Sequence, residues 1–128
     1  MSKSYKGSCL CGAVEYTVVG QIKNVTACHC TQCRKQTGHH YATTSVDDEQ
    51  LTVTGLQHIT WYHASDDAKR GFCKICGSAL FWKCHSDPYT AVLAGSLDGE
   101  TGLKLEKHIY CADKGDYYEI TDGLPQHP

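Results

Sequence analysis

Apolar and polar positions alternate with period two over several short stretches, the pattern of half-buried strands rather than helices. Residues 13–18 put Val14, Tyr16 and Val18 on one face, and Gly20 ends the run. Residues 50–55 and 58–62 repeat the pattern, with Gly55 between them as a turn signal. Residues 41–46, 78–82, 90–93 and 107–110 are rich in β-branched and aromatic side chains and predict further strands. Only residues 31–37 suit a helical turn, which Gly38 would terminate. Residues 64–68 and 97–102 are polar and predict loops. No linker or low-complexity tract interrupts the chain. The expectation is a single, mainly β domain over residues 1–128.

Composition sharpens that picture in two ways. At 128 residues and 41% hydrophobic, the chain can bury only a modest core, so metal cross-links would reinforce it usefully. Charge is nearly balanced, 12 Lys+Arg against 14 Asp+Glu, which argues against nucleic acid or an anionic membrane as a partner. The amino terminus has no apolar signal region, and no apolar run approaches the ~20 residues of a membrane helix. A reducing cytoplasm is therefore the expected compartment. There, nine cysteines read as ligands rather than disulfides, and their odd number rules out complete pairing.

Seven of the nine are grouped. Cys28, Cys30 and Cys33 put three thiols into six residues, flanked along the chain by the pairs Cys9–Cys11 and Cys73–Cys76. Such spacing suits a tetrahedral soft metal, with Zn–S bonds of ~2.3 Å. The seven divide into one complete four-sulfur site and one three-sulfur site with a vacancy. On strands, residues two apart share a face, so each C-x-C is expected to offer both sulfurs from a strand. The x2 pairs fit a knuckle turn, with Gly77 after Cys76 supplying a loose backbone. A metal joining Cys9 and Cys11 to Cys73 and Cys76 would close a loop of some sixty residues and clasp distant segments together.

These motifs carry a resemblance. The segments Gly7-Ser8-Cys9-Leu10-Cys11-Gly12, Cys28-His29-Cys30-Thr31-Gln32-Cys33-Arg34-Lys35 and Phe72-Cys73-Lys74-Ile75-Cys76-Gly77-Ser78 resemble the glutathione-dependent formaldehyde-activating enzyme family. Gly95-Ser96-Leu97-Asp98, His108-Ile109-Tyr110 and the tail from Lys114 to Pro125 continue the likeness in order, over a core of about residues 7–125. Cys111 departs from it, standing where the family more usually has an aliphatic residue. The resemblance implies a small, zinc-bound, tent-like β fold. It implies two zincs per chain: a structural one on Cys9, Cys11, Cys73 and Cys76, and a catalytic one on Cys28, Cys30 and Cys33. The implied activity is a carbon–sulfur lyase reaction run in reverse, joining glutathione to formaldehyde as S-hydroxymethylglutathione. The family also contains centromere protein V, so membership alone does not fix a substrate.

Ligand chemistry reaches the same reaction class by another route. Three thiolates leave zinc a poor Lewis acid for water, and the soft vacancy favours an incoming thiol as its thiolate. Thiolates are nucleophiles, so a small aldehyde is the natural partner. Arg34 and Lys35 follow the ligand run directly and would suit the carboxylates of an anionic thiol. His29 is the nearest histidine but would face away from its cysteine neighbours; His39, His40 and His108 read as polar core or surface. Trp61, Phe81 and Trp82 read as core, and Cys84 and Cys111 as inert small hydrophobes. Two other readings stay open. One is a glutathione-binding or carrier protein with little catalysis, since formaldehyde adds to thiols unaided. The other is a zinc-stabilised interaction module, which needs a fourth protein ligand closing the second site.

Overall fold

The alternating segment near the amino terminus is the inner wall of the core: Val14, Tyr16 and Val18 are all buried. In the computed structural model, which describes residues 3–128, they lie in or beside β2 (Glu15–Val19). Met1 and Ser2, the first residues of the expected domain, lie outside the described residues. Strand β2 is the centre of a three-stranded antiparallel sheet, between β1 (Ser4–Ser8) and β5 (Leu51–Thr54).

The second sheet has seven strands. Its order is β10 (Leu105–Ile109), β3 (Val25–Cys28), β4 (Tyr41–Asp47), β9 (Tyr89–Leu93), β8 (Ala79–Cys84), β7 (Ala68–Cys73) and β6 (Ile59–Tyr62). All neighbours are antiparallel except β10 and β3, which run parallel. Val46, Leu80, Phe81 and Val92 face the small sheet across the core. Tyr16 meets Phe81 edge-on, with ring centroids 5.5 Å apart. Each fully buried side chain of this kind contributes about 1.5–3 kcal/mol. The expected mainly β single domain is the observed one.

The helix α1 (Thr31–Thr37) stands where expected, ended by Gly38 in the left-handed region, whose N–H donates to the Arg34 carbonyl at 2.8 Å. Predicted strands appear within a few residues of their expected bounds. Three strands have no counterpart in the hydrophobic pattern: β1, β3 and β7. Strand β7 begins at Ala68, where a loop was expected, and carries Lys69, Arg70 and Gly71 in succession. It lies between β6 and β8, and cross-strand packing stabilises it more than its own sequence does. A Cβ at Gly71 would come within 2.9 Å of the Trp61 ring on β6, so only glycine lets that ring lie over the backbone.

The motif around Ser96 ties the sheets together. Its hydroxyl meets the Tyr16 hydroxyl at 2.5 Å, and the Asp98 N–H donates to the Lys6 carbonyl at 2.8 Å. At the far edge of the large sheet, the carboxyl-terminal tail runs beside β10. His108 N–H donates to the Pro125 carbonyl and His127 N–H to the His108 carbonyl, both at 2.9 Å. The tail thereby covers an otherwise open strand edge.

Candidate metal centres

Two turns of the same construction bring four sulfurs together. Cys9 follows β1, and the Gly12 N–H returns to the Cys9 carbonyl at 3.2 Å. Cys73 ends β7, and the Gly77 N–H returns to the Cys73 carbonyl at 2.8 Å. Gly12 and Gly77 have φ of 82° and 81°, a conformation glycine adopts without strain. The turns are then joined: Leu10 N–H donates to the Ser78 hydroxyl at 3.0 Å, which contacts the Cys76 sulfur at 3.2 Å.

The four Sγ atoms of Cys9, Cys11, Cys73 and Cys76 lie within 4.8 Å of one another. Cys9 to Cys11 is 3.7 Å and Cys11 to Cys73 is 3.8 Å. A tetrahedron with ~2.3 Å metal–sulfur bonds has edges of about 3.8 Å, so the cluster fits a metal of that size. No sulfur is in a disulfide. The Val14 N–H donates to the Cys9 sulfur at 3.3 Å, and hydrogen bonds from the Ser78 hydroxyl and then its backbone bring the Cys76 thiol down to about 5. Such bonds favour the thiolate form that a metal requires.

Cys28, Cys30 and Cys33 form the second cluster, also within 4.8 Å, and among the described residues no fourth His, Cys, Asp or Glu joins them. Cys28 ends β3, Cys30 is the N-cap of α1, and Cys33 lies in its first turn. The Cys33 N–H donates to the Cys30 sulfur at 3.4 Å, so a prospective ligand also caps the helix. The expectation that each C-x-C offers its sulfurs from a strand is therefore corrected. One pair lies in a glycine-bounded turn and the other spans a strand-to-helix junction. In both cases convergence comes from a chain reversal rather than from strand alternation.

His29 is 1% exposed, and its ring is fully engaged away from the sulfurs. Its Nε2 lies 2.9 Å from His108 Nδ1, while its Nδ1 bonds the Tyr118 hydroxyl. His108 Nε2 in turn meets the Asp122 carboxylate at 2.7 Å. Burial holds His29 down to about 4, so the ring is neutral at ordinary pH. An ionised carboxylate only accepts, which puts the hydrogen on His108 Nε2. In the neutral chain His108 Nδ1 then accepts from His29, and His29 Nδ1 accepts from Tyr118. Both nitrogens of His29 are thus committed, and the tail is wired to the ligand run.

Arg70 on β7 has no forerunner in the sequence reading. It is 4% exposed, and its guanidinium reaches the Cys33 sulfur at 3.5 Å, Gln32 Oε1 at 3.3 Å and Gln36 Oε1 at 3.2 Å. It also lies 4.9 Å from the Tyr41 ring centroid. A hydrogen bond from Cys28, then the Arg70 cation, brings the Cys33 thiol down to about 6, while the same pairing pushes Cys28 far up. Between these two sulfurs, negative charge therefore gathers first on Cys33.

The three sulfurs line a cavity of about 740 Å³. Tyr41, Trp82 and Ile109 supply apolar wall; Lys23, Lys107 and Arg70 supply positive charge; Glu106 and Asp113 supply negative charge. Phe81 is core as expected, and Trp61 packs against the core, but Trp82 belongs to the cavity wall on the opposite face of β8. Arg34 is half-buried and Lys35 exposed, and neither is among the residues lining the cavity. Cys84 and Cys111 are half-buried and outside both clusters. Among the described residues no helix is long and apolar enough to cross a membrane.

Comparison with known proteins agrees with this architecture. The family model for the glutathione-dependent formaldehyde-activating enzyme matches residues 4–113. A Halomonas elongata protein named "Putative glutathione-dependent formaldehyde-activating enzyme" is 32% identical over 90% of this chain and 80% of its own. An uncharacterized lyase of Schizosaccharomyces pombe is 26% identical over 92% of this chain and 86% of its own. The crystal structure of a Rhodobacter sphaeroides protein superimposes with a TM-score of 0.64 at 26% identity, covering 94% of this chain and 98% of that one.

Proposed function

The chain belongs to the glutathione-dependent formaldehyde-activating enzyme family, and on that premise we propose that it joins glutathione to formaldehyde as a carbon–sulfur lyase working in reverse. One observation carries the reading: three cysteine sulfurs line an open cavity with no fourth protein ligand among the described residues. A zinc-stabilised interaction module would close that position with a side chain. Cys9, Cys11, Cys73 and Cys76 would hold a zinc that fastens the fold. Zinc held by Cys28, Cys30 and Cys33 would supply a soft position that favours a thiol as its thiolate.

The chain's own side chains do the rest. Lys23 and Lys107 offer ammonium groups for the two carboxylates of glutathione, and Glu106 and Asp113 offer carboxylates for its amino group. Arg34 and Lys35, beside the ligand run but outside the lining, would add positive charge nearby. Tyr41, Trp82 and Ile109 exclude water around the reacting sulfur. In the reaction the sulfur lone pair forms the new carbon–sulfur bond while the carbonyl π pair moves onto oxygen. That oxygen then takes up the equivalent of the proton the thiol gave up. Free clustered thiols suit a reducing compartment, which supports a cytoplasmic setting.

Exchange NMR with carbon-13 formaldehyde tests the activity. Interconversion of formaldehyde and S-hydroxymethylglutathione at equilibrium should speed up in proportion to protein, and Cys33→Ser should return it to the uncatalysed rate. Glutathione binding without any acceleration would leave a carrier in place of an enzyme.

A further inference from the structure

Tyr110 is the sole non-glycine residue at positive φ among the described residues, at 54°; every other residue in that region is glycine. A bulky side chain there is under steric strain, and such strain persists only where neighbours over-determine the backbone. They do so here. The preceding carbonyl, of Ile109, accepts from the His29 N–H at 3.0 Å, in the middle of the ligand run. The following N–H, of Cys111, donates to the His127 carbonyl at 2.9 Å, and the Tyr110 carbonyl accepts from the Asp113 N–H at 3.1 Å. A turn so held needs no aromatic side chain, and glycine or asparagine would occupy it at less cost. Yet Tyr110 is 55% exposed and lines the cavity that contains the three sulfurs.

We propose that the strained turn at Tyr110 exists to set its ring against the cavity as a packing face for the peptide part of the incoming thiol. Resting on the reading of the cavity as a thiol site, this makes Tyr110 a specificity residue. It selects a peptidic thiol over a small alkyl thiol that would reach the same sulfurs. Half-burying an aromatic ring against a flat amide contributes to affinity. The contact is absent for a thiol with no peptide, so discrimination rather than reactivity depends on it.

Tyr110→Asn, in an otherwise intact zinc-loaded protein, tests this by two readouts that move in opposite directions. Asparagine tolerates the left-handed backbone, so the melting temperature should rise by about 2–4 °C. Affinity for glutathione should fall about tenfold while affinity for 2-mercaptoethanol stays within about twofold. Tyr110→Phe should keep both affinities. A lower melting temperature for Tyr110→Asn would mean that the side chain serves the fold, which overturns the proposal. Unchanged glutathione affinity would overturn it too, leaving the thiol-site reading intact. Wild-type protein that binds neither thiol would overturn the thiol-site reading itself.

Discussion

Cys76→Ser is expected to unfold the domain at ambient temperature, whereas Cys33→Ser should leave it folded with a melting temperature lower by about 10 °C. The four-sulfur cluster joins the turn after β1 to the turn after β7, and Cys11 and Cys73 are 62 residues apart. Structural zinc contributes ~10–16 kcal/mol in small zinc peptides, as much as the ~5–15 kcal/mol net stability of a typical domain. With zinc in the four-sulfur cluster, as proposed, losing one ligand would remove a term comparable to the total. Cys76 is the better variant than Cys9 or Cys73, because those two are buried in the core and their loss would also disturb packing. The three-sulfur cluster closes only a six-residue stretch, already held by β3 and α1. Thermal melts by circular dichroism decide the matter. Equal loss in both variants would mean that the two clusters share one role.

Arg70→Met should lower the melting temperature by about 10 °C and weaken the hold of the three-sulfur cluster on added zinc. Methionine nearly fills the space but removes the cation that faces Cys33 and the donors that satisfy Gln32 and Gln36. Breaking a buried charged pair costs about 3–5 kcal/mol, because the partner is left uncompensated. The cluster also loses a cation that favours the Cys33 thiolate, so a chelator should empty the three-sulfur site first. Arg70→Lys should recover only part of this, since one ammonium cannot span three acceptors held by a planar fork. Melts and elemental analysis of both variants give the answer. Full zinc occupancy in Arg70→Met would show that the sulfurs hold their arrangement without the arginine.

How far the sequence carried is clearest residue by residue. Val14, Tyr16 and Val18 announced a buried face because one side of β2 packs on the core while the other meets water. The seven clustered cysteines announced two sulfur clusters that could hold metal, because the spacing within each pair and within the triplet is a local property of the chain. Strand β7 was illegible: its Lys69-Arg70-Gly71 core opposes the usual strand signal, and its stability comes from β6 and β8 on either side. Arg70 was hidden for the same reason, since its value lies in reaching helix α1 from a different part of the chain. Lys23, Lys107, Trp82 and Tyr41 share one cavity only through the parallel and antiparallel pairings of β10, β3, β4, β9 and β8, which no local pattern encodes. The ligand pairs do lie where strands meet turns, but the turn itself rather than strand alternation sets the geometry of each C-x-C.

The central claim is that the cavity with Cys28, Cys30 and Cys33 receives a thiol and ionises it. Calorimetric titration of the zinc-loaded protein with glutathione, repeated in buffers of different ionisation enthalpy, measures the protons released on binding. A free thiol of pKa ~8.5 is almost wholly protonated near neutral pH, so release should approach one proton per glutathione. Because binding releases a proton, affinity should rise with pH until the free thiol ionises by itself. S-methylglutathione keeps every charge but has no thiol to ionise; it should release no proton and bind far more weakly. Equal affinity for the two ligands, with no proton released by either, would contradict the claim.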